Sequence, residues 1–153
     1  MSHPEENLAE LGLKLPDVAK PVAAYIPVVR TGNLVYTSGQ LPLREGTLIA
    51  AGKVGGTVTP EVASECAQQC ALNALAAVKS EIGDLANVVR VVKAVVFIAS
   101  TPDFTGQPQV ANGASELFGQ VFGEAGQHAR SAVGVPVLPL DAPVEVELIV
   151  EVA

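Results

Sequence analysis

A mixed α+β fold, in which two helices cover one face of a sheet, is what the sequence predicts. Residues 88–100 are almost continuously apolar, which is typical of a buried strand. The stretch Val144–Val152 alternates apolar with mostly acidic residues, the period of a strand with one buried face. Two long segments, Pro60–Ile82 and residues 108–124, carry helix signals. The order of strands, helix, strand, helix and strands indicates helices packed on one face of a mixed sheet.

The first long helix is expected to run from Pro60 to about residue 82. Thr59 is a favourable N-cap, proline suits the first turn, and Gly83 is a natural end. The helix is rich in alanine, so it can pack closely on a sheet. Its two cysteines, Cys66 and Cys70, lie one turn apart, where disulfide geometry is poor. We expect both to be small core residues, not metal ligands.

The remaining elements follow from breaker residues and periodicity. Residues 108–124 have one apolar side, and Gly126 ends that helix. Residues 25–30 and Leu34–Thr37 are expected to pair as a hairpin around the turn signal at 31–33. The other expected elements are a short helix over residues 4–11 closed by Gly12, an extended approach enforced by Pro16 and Pro21, a short strand over residues 47–50, a strand over residues 131–138 and a turn over residues 139–143.

The apolar strand over residues 88–100 should be central and covered on both faces. The helices provide one cover, and we expect another subunit to provide the other. A mean hydropathy of +0.39 is high for a protein of 153 residues and is consistent with apolar surface left for subunit contacts.

Length and composition predict one domain over residues 1–153, with residues 1–24 as an N-terminal extension. No run of 18 apolar residues predicts a membrane span, and the N-terminus lacks the pattern of a secretory signal, so we expect a cytoplasmic protein. The net charge is −7, and the nine Lys and Arg residues are scattered. This distribution argues against a nucleic-acid groove, because such grooves bind phosphates through clustered basic residues.

The sequence contains none of the common phosphate-binding, dinucleotide-binding, zinc-protease, serine-hydrolase or Cys-x-x-Cys motifs, and we expect neither metal nor cofactor. Polar residues at element ends are the remaining candidates. Arg130, the only Lys or Arg after Lys93, is either an ion-pair partner or an anchor for an anion. Glu145 is either a solvated strand residue or a site carboxylate. Other candidates with equally plain structural readings are Tyr25, Ser38, Gly39, Asn112 and His128.

Four features of the sequence form one combination: Asn33 to Gln40 (Asn-Leu-Val-Tyr-Thr-Ser-Gly-Gln), Asn112 in the second long helix, Ala129 to Val133 (Ala-Arg-Ser-Ala-Val), and Val144 to Glu147 (Val-Glu-Val-Glu). Together they resemble the RidA family, also called the YjgF family. The combination of these features is specific to the family. Neither the hairpin end at residues 37–40 nor the two C-terminal segments would be specific without the other. The N-terminal extension and residues 25–30 resemble the divergent branch of the family that is called chorismate-mutase-like.

This resemblance implies a chorismate-mutase-like fold of the bacillus type, assembled as a homotrimer whose sheets form a central barrel and whose sites lie in clefts between subunits. It also implies hydrolysis of reactive enamines and imines, such as 2-aminoacrylate, to a 2-keto acid and ammonia. Arg130 would bind the substrate carboxylate, and Glu145 and Tyr25 would line the cleft. Backbone amides near Gly39 or Ala132 could hold the substrate, with Ser38 and Asn112 beside them.

The chain departs from the family pattern around this site. His128 stands where the family usually has proline, Ala132 stands where cysteine is common, and Pro136 replaces a small or basic residue. Ile26 and Pro27 replace the serine and glutamine of the usual Gly-Pro-Tyr-Ser-Gln segment, which here reads Ala-Ala-Tyr-Ile-Pro. The substrate therefore stays open, as does the question of whether His128 belongs to the site.

Three functions remain compatible with the sequence. The first is a hydrolytic deaminase of enamine or imine intermediates that carry a carboxylate. The second is a non-enzymatic trimeric protein that binds a small carboxylic-acid metabolite through Arg130. The third, an endoribonuclease or translation inhibitor, is disfavoured by the net charge of −7 and by the lack of a basic, aromatic groove.

Overall fold

The computed structural model describes residues 3–18 and 24–153. Three α-helices and seven strands are found in this part of the chain. In order, they are α1 (Pro4–Glu10), β1 (Val28–Thr31), β2 (Leu34–Thr37), β3 (Leu43–Arg44), β4 (Thr47–Leu48), α2 (Pro60–Ile82), β5 (Val88–Ala99), α3 (Gln107–Phe122), β6 (Ala129–Val135) and β7 (Val144–Val152).

Five of the strands form one mixed sheet in the order β1-β2-β7-β5-β6, and β3 and β4 pair separately. Strands β5 and β6 are parallel, and the other neighbours are antiparallel. The inward residues of β5 and β7 are buried with the apolar residues of α2 and α3 in one core. The prediction of an α+β fold with helices on one face of a mixed sheet is therefore confirmed.

Helix α2 and strand β7 have the predicted bounds. The Thr59 hydroxyl accepts a hydrogen bond from the Val62 amide (3.2 Å), and Gly83 ends the helix with a φ of +84°. Both cysteines of α2 are buried free thiols. Burial raises the pKa of Cys66 to about 11 and also raises that of Cys70, as expected for core residues that stay protonated.

Strand β1 is shorter than predicted, because it begins at Val28 and not at residue 25. Proline has no amide hydrogen to donate to a ladder, so pairing starts directly after Pro27, with Val28 opposite Thr37. Tyr25 and Ile26 therefore precede the strand. Strand β4 is likewise limited to Thr47–Leu48.

The predicted bounds of α3 and β6 also need correction. Helix α3 ends at Phe122, because Gly123 has a φ of +60° and a short 3-10 turn over Gly123–Gly126 follows. Strand β6 starts at Ala129 and ends before Pro136, which cannot extend the ladder. Strands β6 and β7 do not pair with each other, since β5 lies between them.

Strand β5 is covered by helices on one face only within the described chain. Its residues Val91, Ala94, Val96 and Ile98 are fully buried on the helix side. On the opposite side a small cluster around Ala99, Leu138 and Ala142 covers one end of the sheet, and the rest of this open face keeps partly exposed apolar side chains. A second cover from another subunit therefore remains a prediction.

The N-terminal segment is attached to the helix layer by polar contacts. The Asn7 side-chain amide donates to the carbonyl of Val121 in α3 (2.8 Å). The Glu5 carboxylate accepts from the Leu85 amide (3.2 Å) and pairs with Lys79. Pro16 lies in a stretch without regular structure, as expected, whereas the predicted effect of Pro21 lies outside the described residues. No helix in residues 3–18 or 24–153 has the length and apolarity needed to cross a membrane.

We predict that two glycine-to-alanine changes in α3 have opposite effects on stability. At Gly113 a Cβ atom would stand 2.1 Å from the backbone oxygen of Ser64 in α2, so Gly113→Ala should force the helices apart and cost about 1–3 kcal/mol. At Gly119 a Cβ atom would meet no atom within 4 Å, so Gly119→Ala should stabilise the protein by about 0.5–1 kcal/mol. Urea unfolding measures both, and equal effects at the two positions would contradict the packing of α2 on α3.

Candidate functional site

Arg130 lies on β6, one of the two edge strands of the sheet, and its side chain points to the helix side. Its register partner Ala94 is a core residue on that side, and partners on neighbouring strands share a face. One guanidinium nitrogen, Nη1, donates to Asn112 Oδ1 (2.8 Å) and to Ser115 Oγ (3.1 Å). Both acceptors are neutral side chains of α3. No carboxylate of residues 3–18 or 24–153 lies within the 4.0 Å of an ion pair with Arg130.

The backbone of β6 adds a donor beside this guanidinium. The Val135 carbonyl accepts from the Ser100 amide (3.1 Å), so the polar groups of Val135 point toward the chain of β5. Backbone groups alternate in direction along a strand, which turns the amide of Ala132 to the free edge of the sheet. The Ala132 side chain itself packs against the core. Arg130 and the Ala132 amide together can bind a carboxylate at this edge.

The structure places two further residues, His128 and Ser115, in the cluster around Arg130. His128 Nε2 lies 2.9 Å from Ser115 Oγ, and His128 Nδ1 lies 2.6 Å from the carbonyl oxygen of Gly126. His128 was a candidate in the sequence, whereas Ser115 was missed. The spacing of Asn112 and Ser115, three residues apart on one helix face, is the signal that could have pointed to it. A cavity of about 310 Å³ is lined by Ser115, Gly119, Gly126, Gln127, His128 and Arg130.

Glu145 lies at the other candidate cluster, against Gly39. A Cβ atom at position 39 would stand 1.9 Å from Glu145 Oε2, so only glycine leaves room for the carboxylate there. Burial raises the pKa of Glu145, and the charge of the nearby Glu147 raises it further. A raised pKa makes a carboxylate a stronger base, which suits a residue that accepts a proton.

Ser38, which precedes Gly39, holds the backbone of the segment that follows Tyr25. The Ser38 hydroxyl donates to the carbonyl of Ile26 (2.6 Å), and the Ser38 amide donates to the carbonyl of Pro27 (2.8 Å). Two backbone hydrogen bonds between Gln40 and Val146 fix Gly39 beside β7. Tyr25 precedes β1 and is 51% exposed.

Within one chain, the two clusters lie on opposite faces of the sheet. Arg130 pairs with Ala94 and thus shares the helix side, whereas Glu145 pairs with Phe97 on the open face. Arg130 and Glu145 are separated by three residues along the strands, about 10 Å, and by two strand spacings across the sheet, also about 10 Å. The structure therefore brings Arg130 together with Asn112, and Glu145 together with Ser38 and Gly39, but it does not bring Arg130 to Glu145.

The described residues contain no group of three or more His, Cys, Asp and Glu side chains arranged to hold a metal ion. A larger cavity of about 800 Å³ lies between the N-terminal segment, the β3–β4 turn and α2. It contains none of the site residues predicted from the sequence.

Comparison with known proteins gives a consistent family. The family model described as "YjgF/chorismate mutase-like", whose description also suggests an endoribonuclease, matches residues 5–152. Protein TCP17 of Trypanosoma cruzi is 45% identical over 95% of this chain and 91% of its own length. A 2-iminobutanoate/2-iminopropanoate deaminase of Dermatophagoides farinae is 33% identical over 90% of this chain and 93% of its own length.

Solved structures agree with this result. The Atu1372 protein of Agrobacterium tumefaciens is 46% identical, and its structure matches with a TM-score of 0.92 over 98% of this chain and 93% of that chain. Since the family model spans nearly the whole sequence and the relatives cover most of their own lengths, this chain belongs to the YjgF/RidA family, with its chorismate-mutase-like fold.

Proposed function

We propose that the protein is a hydrolytic deaminase of small imines or enamines that carry a carboxylate, with 2-iminopropanoate, 2-iminobutanoate or 2-aminoacrylate as representative substrates. The observation that carries the proposal is the environment of Arg130. Its guanidinium is oriented by the neutral side chains of Asn112 and Ser115 and forms no ion pair within the described residues. Its charge thus stays available for a substrate carboxylate, which the planar guanidinium binds with two parallel hydrogen bonds.

The reaction needs a water molecule, a base and a proton donor. The oxygen of water adds to the imine carbon, and Glu145 accepts the proton that this water loses. Glu145 returns this proton to nitrogen, which gives a carbinolamine. The hydroxyl proton of the carbinolamine then passes through Glu145 to the same nitrogen, the carbon–nitrogen bond breaks, and neutral ammonia leaves as the carbonyl forms. Arg130 holds the carboxylate while the electrophilic carbon meets the water. The imine is already electrophilic, so these side chains suffice for the chemistry proposed.

The proposal requires that subunits share the site, because Arg130 and Glu145 of one chain face opposite sides of the sheet. We propose a homotrimer in which the Arg130 edge of one subunit meets the Glu145 side of the next. Strand β6 is an open edge, and such edges favour pairing with another chain. Exposed apolar side chains add to this tendency, and they include Tyr25, Ile26, Val29, Tyr36 and Val133.

The named activity of the relative from Dermatophagoides farinae supports imine hydrolysis for this chain. A protein that binds a carboxylate without turnover would use the same Arg130 anchor, so only turnover separates these two functions. RNA cleavage has less support, since the net charge is −7 and the open face carries Glu145, Glu147 and Glu151. Carboxylates at these positions repel the phosphate backbone.

Replacing Arg130 tests the anchor. We expect Arg130→Ala to reduce kcat/KM for 2-iminobutanoate roughly 100-fold, because a charged hydrogen-bonding partner is lost, and Arg130→Lys to reduce it roughly 10-fold, because charge without the fork is retained. Release of 2-oxobutanoate from a threonine dehydratase reaction measures both. Wild-type rates in Arg130→Ala would contradict the assignment, and unfolding of both variants would mean that Arg130 is structural.

Gly39→Ala tests the role of the Glu145 carboxylate without removing it. The added methyl group would occupy the position of Oε2, so the flexible end of Glu145 must move while the backbone stays. We expect kcat to fall on the order of 100-fold with little change in Tm. A Gly39→Ala, Glu145→Gln double variant should be no slower than Glu145→Gln alone. Additive losses would show that Gly39 acts through a different group.

The raised pKa of Glu145 predicts the pH dependence of turnover. A general base works when ionised, so the rate should rise as the pH increases through the raised pKa of Glu145. This rising limb of the pH–rate profile should be absent in Glu145→Gln. Glu147→Gln removes one cause of the raised pKa and should move the limb to lower pH. Rates measured across the acidic range test this, and an unmoved limb in Glu147→Gln would assign the titration to another group.

A further inference from the structure

We propose that His128 is a positioning residue that fixes the Arg130 guanidinium through the hydroxyl of Ser115. This inference rests on the proposed function, because it concerns the same carboxylate anchor. It assigns a role to two residues, His128 and Ser115, that take no part in the proposed reaction steps.

The Gly126 carbonyl determines which nitrogen of His128 must carry a hydrogen, and a neutral imidazole then sets the direction of the other two hydrogen bonds. The carbonyl of Gly126 can only accept, so His128 Nδ1, at 2.6 Å, must carry a hydrogen. In a neutral imidazole the other nitrogen, Nε2, then has a lone pair and accepts from the Ser115 hydroxyl at 2.9 Å. Ser115 Oγ in turn accepts from Arg130 Nη1 at 3.1 Å. All three hydrogen bonds therefore run one way, from Arg130 to the Gly126 carbonyl.

The far end of this chain is held by close packing. A Cβ atom at Gly126 would stand 2.1 Å from the Phe118 carbonyl oxygen, so the backbone there lies directly against α3. The His128 ring meets the buried ring of Phe118 edge to face, with centroids 5.4 Å apart and an angle of 85°. The ring is thus fixed by Phe118 on one side and by Gly126 on the other.

This arrangement holds the guanidinium in one orientation. With its proton committed to His128, the Ser115 hydroxyl can present only a lone pair to Arg130, which complements Asn112 Oδ1 at 2.8 Å from the same nitrogen. Two fixed acceptors for Nη1 set the plane of the guanidinium before the substrate binds, which lowers the entropic cost of binding. A protonated imidazole would instead direct an N–H at Ser115 and place a second positive charge next to Arg130.

The alternative is that His128 only packs against Phe118 and does not position Arg130. Matched variants of His128 distinguish these two roles. His128→Phe keeps a ring on Phe118 but removes the acceptor, whereas His128→Gln retains an acceptor for Ser115. If His128 positions Arg130, His128→Phe and Ser115→Ala should each raise KM about tenfold with kcat within about twofold, and His128→Gln should recover part of the loss. The double variant should lose no more than either single one, because both changes break one chain.

Additive losses in the double variant, or an unchanged KM in Ser115→Ala, would overturn the proposal. A second measurement does not depend on turnover. The ¹⁵N NMR signals of His128 in the wild-type protein at neutral pH should show a protonated Nδ1 and an unprotonated Nε2, and the Nε2 signal should shift in Ser115→Ala. A protonated Nε2 would overturn the hydrogen-bond directions.

The affinity for 2-oxobutanoate, a stable keto acid, separates this proposal from the proposed function. If the wild-type protein has no turnover, the deaminase assignment fails. The positioning role then stands if His128→Phe and Ser115→Ala each weaken 2-oxobutanoate binding about tenfold. The positioning role fails if the wild-type protein has turnover and neither variant changes KM or the affinity for 2-oxobutanoate.

Discussion

The alternation of side chains along the strands of one sheet is the constraint on which the site depends. Arg130 and its register partner Ala94 face the helices, whereas Glu145 and its partner Phe97 face the open side. No rotamer change carries a side chain through a sheet, so one chain cannot direct both groups at one small substrate. Any chemistry that uses both must draw them from different subunits. The open edge at β6 and the apolar residues of the open face are suited to such an assembly.

The Arg130 and Glu145 clusters differ in their electrostatic environment. Around Arg130 the residues described by the structure supply only neutral acceptors, so the guanidinium is not engaged in an ion pair and can bind an incoming anion. Around Glu145, burial and a second carboxylate both raise the pKa, which makes this carboxylate a stronger base. A cationic anchor and a basic carboxylate that do not neutralise each other within a chain are well matched to a substrate that carries a carboxylate beside an electrophilic carbon.

Much of the fold could be predicted from the sequence, because helix caps, glycine ends and period-2 alternation are local signals. Thr59 and Gly83 bound α2 as expected, and β7 has its predicted limits. The start of β1 was missed because Pro27 removes a donor from the ladder. In the site, Arg130, Asn112, Gly39 and Glu145 could be named from the family resemblance. Ser115 was missed, because its contacts with His128 and Arg130 form only after β6 has paired in parallel with β5.

Subunit complementation tests the central claim, a site shared between chains, most directly. Arg130→Ala and Glu145→Gln variants, each inactive alone, are unfolded together in equal amounts and refolded, and imine hydrolysis is measured. If each site takes Arg130 from one subunit and Glu145 from the next, random mixing should restore about a quarter of wild-type activity, because each of the two positions is intact in half of the subunits. No recovered activity, in mixtures shown to contain mixed oligomers, would contradict the shared site.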